Sequence, residues 1–143
     1  SLLEDQDYIR SFLATSRARL LHNRLAAESL LSEAGVAFHD RGNAGLFMWI
    51  DLGPFLPVAE TGGDGWAAQK LIAERLVQAG VVLQSGETYR APRPGWFRLT
   101  FSLDEESMRE GIRRRVPLPS ARSVVVGALK LGHTTPVLDD VEK

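Results

Sequence analysis

From Asp5 to Ala34 the chain runs without a proline or a glycine. The segment is rich in Leu, Ala, Arg and Glu, which are good helix formers. Asp5-Gln6-Asp7 offers N-cap chemistry, because a short carboxylate accepts from the unpaired N–H groups of a first helical turn. Gly35 is a natural C-terminal stop, with Val36 as its hydrophobic partner. The pattern therefore predicts a helix of roughly thirty residues, where the mean is about 11–12. Ile9, Phe12, Leu13 and Leu20 form one apolar stripe, and Leu21, Leu25, Leu30 and Leu31 continue on a drifting face. One small core cannot bury such a helix along its whole length. A helix that outruns its own domain calls for a second surface to pack against.

The remaining elements are short. Asn43-Ala44-Gly45 leads into LFMWIDL, where Leu46, Met48 and Ile50 alternate with Phe47, Trp49 and Asp51. That alternation predicts a strand packed on both faces. Gly53 and Pro54 end it, and the turn-rich stretch from Pro57 to Gly65 reads as a loop. Asp64 is placed to cap a second helix, Trp66 to Ala79, with Ala68, Leu71, Ile72, Leu76 and Ala79 on one face and Gly80 as the stop. Val81-Val82-Leu83 reads as a short strand. Gln84 to Pro94 reads as a loop holding Gly86 and Tyr89, and Trp96 to Phe101 as another strand. Asp104, followed by Glu105 and Glu106, starts a third helix that ends near Arg115, closed by Pro117 and Pro119. The tail from Ser120 carries Val124-Val125-Val126 with little periodicity, and is expected to be extended or poorly ordered. Helix, strand, helix, strand, strand, helix predicts an α/β (α+β) fold. Its sheet is a small antiparallel or mixed one of three to four strands, with helices on one face and the long helix in front.

Several function classes drop out. The formal net charge is −1, so no global field favours nucleic acid or acidic lipid. The chain has no cysteine, which excludes disulfides, cysteine nucleophiles and thiolate metal sites. No apolar run approaches membrane-spanning length and no basic-then-apolar leader pattern opens the chain, so a cytoplasmic protein is the expectation. Neither phosphate-cradling glycine motif occurs, nor does G-x-S-x-G. His22, His39 and His133 are scattered and lack ligand spacing, so no metal is expected. Arg113-Arg114-Arg115 sits at a helix end, where it meets the negative end of the helix dipole, and reads as a solvated end.

Arg98 stands apart. In PGWFRLTF, Phe97, Leu99 and Phe101 point to one face and Trp96, Arg98 and Thr100 to the other. A guanidinium on a well-packed strand needs an anionic partner, because burying it unpaired is costly. The partner is either structural, with Glu74 or Asp51 as candidates, or a bound anion. The planar fork of arginine suits both, since it grips a carboxylate with two parallel bonds.

NAGLFMWIDL, a helix, a glycine loop at Gly86 and then PGWFRLTF, in that order, resemble the C-terminal part of fold-type I pyridoxal-phosphate enzymes. Within these the chain is most similar to the 1-aminocyclopropane-1-carboxylate (ACC) synthase and class I/II aminotransferase group. The resemblance covers residues 8–116. It implies that Arg98 grips the α-carboxylate of an amino-acid substrate and that Asn43, Ala44 and Gly45 line the substrate side. It implies that the loop at Ser85 and Gly86 lies near the active-site mouth, although the family's stiffer Pro-Gly is Ser85-Gly86 here.

The resemblance also implies pyridoxal phosphate in the complete enzyme, held by a large preceding domain that carries the Schiff-base lysine in a Ser-x-x-x-Lys setting. Lys70, Lys130 and Lys143 match no such setting, so no catalytic or cofactor-binding residue is expected in this chain. The expected division is a long interdomain helix over residues 1–35, a small aminotransferase-like domain over 36–116 and a tail over 117–143. The expected function is that of a substrate-carboxylate-binding domain, a fragment inactive alone. Its partners would be the large domain, an amino-acid substrate and a second copy of the chain. The competing reading is a stand-alone, non-enzymatic relic that acts by protein–protein interaction or dimerisation.

Overall fold

The computed structural model describes residues 5–42, 44–113, 115–116 and 124–125. Helix α1 spans Gln6–Glu33, and Asp5 caps it by accepting from the Tyr8 N–H. Its C-terminal stop is a complete Schellman turn. Gly35 adopts φ 69°, its N–H bonds Ser32 O, and the Val36 N–H bonds Leu31 O. Helix α2, Gly65–Gln78, is built the same way. Asp64 accepts from Trp66 and Ala67 N–H, and Gly80 and Val81 close the far end onto Val77 and Leu76. Helix α3 spans Glu105–Arg113 and starts under Asp104, which accepts from the Ser107 N–H.

Four strands form one antiparallel sheet: β1 (Ala37–Phe38), β2 (Phe47–Asp51), β3 (Gln84–Ser85) and β4 (Trp96–Thr100), in the order β1-β2-β4-β3. The register sets Trp49 opposite Arg98, Ile50 opposite Phe97 and Asp51 opposite Trp96. A separate ribbon pairs β5 (Arg115–Val116) with β6 (Val124–Val125). Val126 and the rest of the expected tail lie outside the described residues.

One face of the sheet carries the core. Met48, Ile50, Phe97 and Leu99 pack with Ala27, Leu30 and Leu31 of α1, Ile72 and Leu76 of α2, and Met108 and Ile112 of α3. All three helices therefore lie on the same side, as expected. The other face holds Phe47, Trp49, Asp51, Trp96, Arg98 and Thr100, none of them buried. This corrects the reading of LFMWIDL as a strand packed on both faces: no described helix or strand lies across its second face, and Tyr89 covers it in part, edge-on against Trp49.

The expected strand Val81-Val82-Leu83 is also corrected. Pairing begins only at Gln84, because Val81 completes the α2 cap and turns its fully buried side chain into the core. The expected loop from Gln84 correspondingly contains β3 and a 3-10 turn, Gly86–Tyr89. The loop before α2 holds two further 3-10 turns, Gly53–Phe55 and Val58–Thr61.

Among the described residues the core covers helix α1 only in part. Its C-terminal turns enter the core, whereas Tyr8, Phe12, Leu13, Leu21 and Leu25 remain exposed. Asn23 fixes the crossing with α3 by donating to Phe101 O at 3.1 Å and Leu103 O at 2.5 Å.

Candidate functional site

Arg98 occupies the middle of the open sheet face. Its guanidinium lies 4.0 Å from the centre of the Phe47 ring and 4.6 Å from that of Tyr89. Such contacts hold a cation in place for about 0.5–1 kcal/mol each at exposed sites, without neutralising it. Tyr89 is braced edge-on against Trp49, ring centres 5.5 Å apart. The Arg98 Nη2 donates to Gln84 Oε1, and the Tyr89 hydroxyl donates to the same oxygen at 2.6 Å.

Neither acid considered as a structural partner takes Arg98. Asp51 accepts from Arg93 Nη2 at 2.7 Å and from the Gly53 N–H at 2.8 Å, which occupies both its oxygens. The same carboxylate raises the pKa of Arg93 above the ordinary arginine value, chiefly through that hydrogen bond. Glu74 is exposed on α2, and α2 packs on the opposite side of the sheet. Among the described residues no carboxylate forms an ion pair with Arg98.

The strand that carries Arg98 is positioned by a buried amide. Gln69 of α2 is 0% exposed, accepts from the Gly95 N–H at 2.5 Å and donates to Ser85 Oγ at 2.7 Å. One side chain thus ties the start of β4 to β3, whose Gln84 meets Arg98. Gly86 lets these two stretches close up: a Cβ there would stand 2.7 Å from Trp96 O. Gln69 interrupts the apolar stripe of α2, and a polar residue at a core position is the signal that marks it in the sequence. Phe47, Gln84 and Tyr89 carry no such signal. They join Arg98 only through cross-strand register and the path of a loop.

Two of the other expected site residues line a different stretch of the surface. Ala44 and Gly45 precede β2 and line a groove of about 800 Å³ beside α1, together with Arg17, Leu21 and Leu25. Among the described residues no hydrogen bond or ring contact joins them to Arg98. Asn43 lies outside the described residues, as do His133, Arg114, Lys130 and Lys143. His22 is hydrogen-bonded to Glu105 at 2.8 Å and His39 is exposed. Among the described residues no group of three His, Asp or Glu side chains could hold a metal ion.

The described residues do not fit pyridoxal phosphate either. That cofactor needs a lysine held beside the reacting carbon, an acid for its ring nitrogen and a cup for its phosphate. Lys70, the lysine among them, sits exposed on α2 with its Nζ 3.8 Å from Glu87. What the open face offers at its centre is the Arg98 guanidinium, held between the Phe47 and Tyr89 rings.

Comparison with known proteins agrees with this architecture. The family described as aminotransferase class I and II matches residues 1–114. The chain is 32% identical over 126 residues to the ACC synthase-like protein 1 of Mus musculus, covering 87% of this chain and 24% of that protein. It is 30% identical over 115 residues to ACC synthase 1 of Prunus mume, covering 80% and 22%. The aspartate aminotransferase of Thermus thermophilus with maleate superposes with a TM-score of 0.61 at 26% identity, over 76% of this chain and 25% of that one. The chain thus spans about a quarter of the length of these relatives. With the sheet order, the long leading helix and a match over residues 1–114, the chain belongs to the aminotransferase class I and II family.

Proposed function

We propose that this chain is the small, substrate-gripping domain of a larger pyridoxal-phosphate enzyme acting on an amino acid, and that Arg98 binds the α-carboxylate of that substrate. The observation that carries the reading is the state of Arg98: a guanidinium on an open face, held between two rings, with no carboxylate partner among the described residues. A bidentate grip by arginine would fix the rotation of the amino acid and so direct its Cα–H towards a base. The cofactor, when bound by the rest of the enzyme, supplies the electron sink for loss of that proton.

The names of the relatives suggest two reactions, transamination and formation of a cyclopropane amino acid. The share of Arg98 is the same in both. The missing partner of the exposed N-terminal half of α1 is then the cofactor-binding domain, and the chain alone is inactive.

The test is Arg98→Gln in the protein that joins this segment to a cofactor-binding domain. The expected result is a kcat/KM lower by on the order of a hundred-fold or more, with the cofactor's absorbance unchanged. Unchanged kinetics would overturn the assignment. The exposed Phe12, Leu21 and Leu25 favour a second reading, an interaction module that pairs with its own copy. Self-association through that face, without any carboxylate binding, would put it in place of the first.

A further inference from the structure

Two donors converge on one oxygen beside Arg98. The oxygen is Gln84 Oε1; the donors are Nη2 of Arg98 and the hydroxyl of Tyr89, the latter at 2.6 Å. We infer that Gln84 is a built-in competitor for the substrate carboxylate, its amide oxygen standing where a carboxylate oxygen binds, and that Tyr89 is the second donor of that site. The inference rests on the reading of Arg98 as the carboxylate clamp.

Three features make the exchange physically reasonable. Gln84 is exposed on β3, a two-residue strand at the edge of the sheet, so its side chain swings into solvent at little cost. Tyr89 is braced by Trp49 and lies against Arg98, so its hydroxyl stays when the amide leaves. An incoming carboxylate makes charge-assisted bonds roughly twice as strong as those of a neutral amide, and it brings a second oxygen for the guanidinium fork. The resting site is thus occupied by a weak internal ligand. That ligand keeps both donors satisfied and aligned, and every carboxylate must displace it. Affinity for the carboxylate is lower than the bare site would give, because Gln84 competes for the same two hydrogen atoms.

A merely structural role for Gln84, orienting Arg98, predicts the opposite sign. The experiment titrates the chain with sodium propionate against sodium chloride at matched ionic strength, following by NMR the backbone amide resonances of Ser85 and Phe97, which flank the site and are present in every variant. Gln84→Ala is expected to tighten propionate binding by about ten-fold, and Tyr89→Phe, which keeps the ring, to weaken it by about ten-fold in either background. If Gln84→Ala weakens or leaves binding unchanged while Arg98→Gln abolishes it, the competitor falls and the clamp stands. If Arg98→Gln leaves propionate binding in place, the clamp itself falls. Absence of binding by both the parent chain and Gln84→Ala overturns both.

Discussion

Gly95 and Gly53 meet backbone to backbone: a Cβ built on Gly95 would stand 2.5 Å from Gly53 Cα and 2.6 Å from Gly53 N. The Leu52 N–H donates to Gly95 O at 2.7 Å across the same approach. Gly95 also has φ 105°, a backbone that side-chain-bearing residues rarely adopt. The end of β2 and the start of β4 are locked together here, three residues before Arg98, and the register of the site depends on the lock.

Gly95→Ala should therefore cost about 3 kcal/mol or more, since backbone strain and an immovable steric neighbour act together. Gly35→Ala is the control. Its φ of 69° is also left-handed, but a Cβ there meets nothing within 4 Å, so about 1 kcal/mol is expected. Urea unfolding of the two variants measures the difference. Equal losses would show that Gly95 matters for its backbone angle alone and that the two turns do not press on each other.

Helix α1 allows a contrast within a single element. Leu31 is 0% exposed, whereas Leu21 is 57% exposed. Leu31→Ala should cost about 2–5 kcal/mol through the lost burial and the cavity left behind. Leu21→Gln, which keeps helix propensity, should stay within about 0.5 kcal/mol. Thermal or urea unfolding of the chain tests both. A large loss from Leu21→Gln would mean that this face is already covered in the isolated chain.

Much of the fold was readable because its signals are local. Asp5, Asp64, Gly35 and Gly80 mark helix ends by their own chemistry, and the alternation in β2 and β4 marks strands within one short window. Strands β1 and β3 have two residues each, too few for any period, and exist only because β2 and β4 offer them edges. The open sheet face was misread for a related reason. Phe47, Trp49 and Trp96 give the same alternation whether their own chain covers them or something else does. Arg98 was conspicuous as a charge within apolar residues. Its companions were not, since Gln84 meets it through the register of a two-residue strand and Tyr89 from the turn that follows, neither of which any periodicity encodes. Asn43, Ala44 and Gly45 entered by resemblance alone, and the described pair lines the α1 groove.

The contact between α1 and α3 carries a pH dependence with a definite sign. Glu105 is hydrogen-bonded to His22 at 2.8 Å and to Arg109 at 2.7 Å, and its pKa is lowered, first by the bond from His22 and then by that from Arg109. Asp104 is lowered as well, chiefly by the Ser107 backbone N–H. A carboxylate with a depressed pKa in the folded state adds stability that is fully present above its unfolded value. That stability is lost as pH falls through the folded value. The seat of α3 on α1 should therefore hold at neutral pH and loosen only in acid, below the ordinary carboxylate range. His22→Gln removes the largest cause, so Glu105 should titrate closer to an ordinary glutamate and the loosening should begin at higher pH. Carboxyl carbon shifts of Glu105 followed against pH in both chains measure this. An ordinary glutamate titration in the parent chain would show that His22 and Glu105 are not paired in solution.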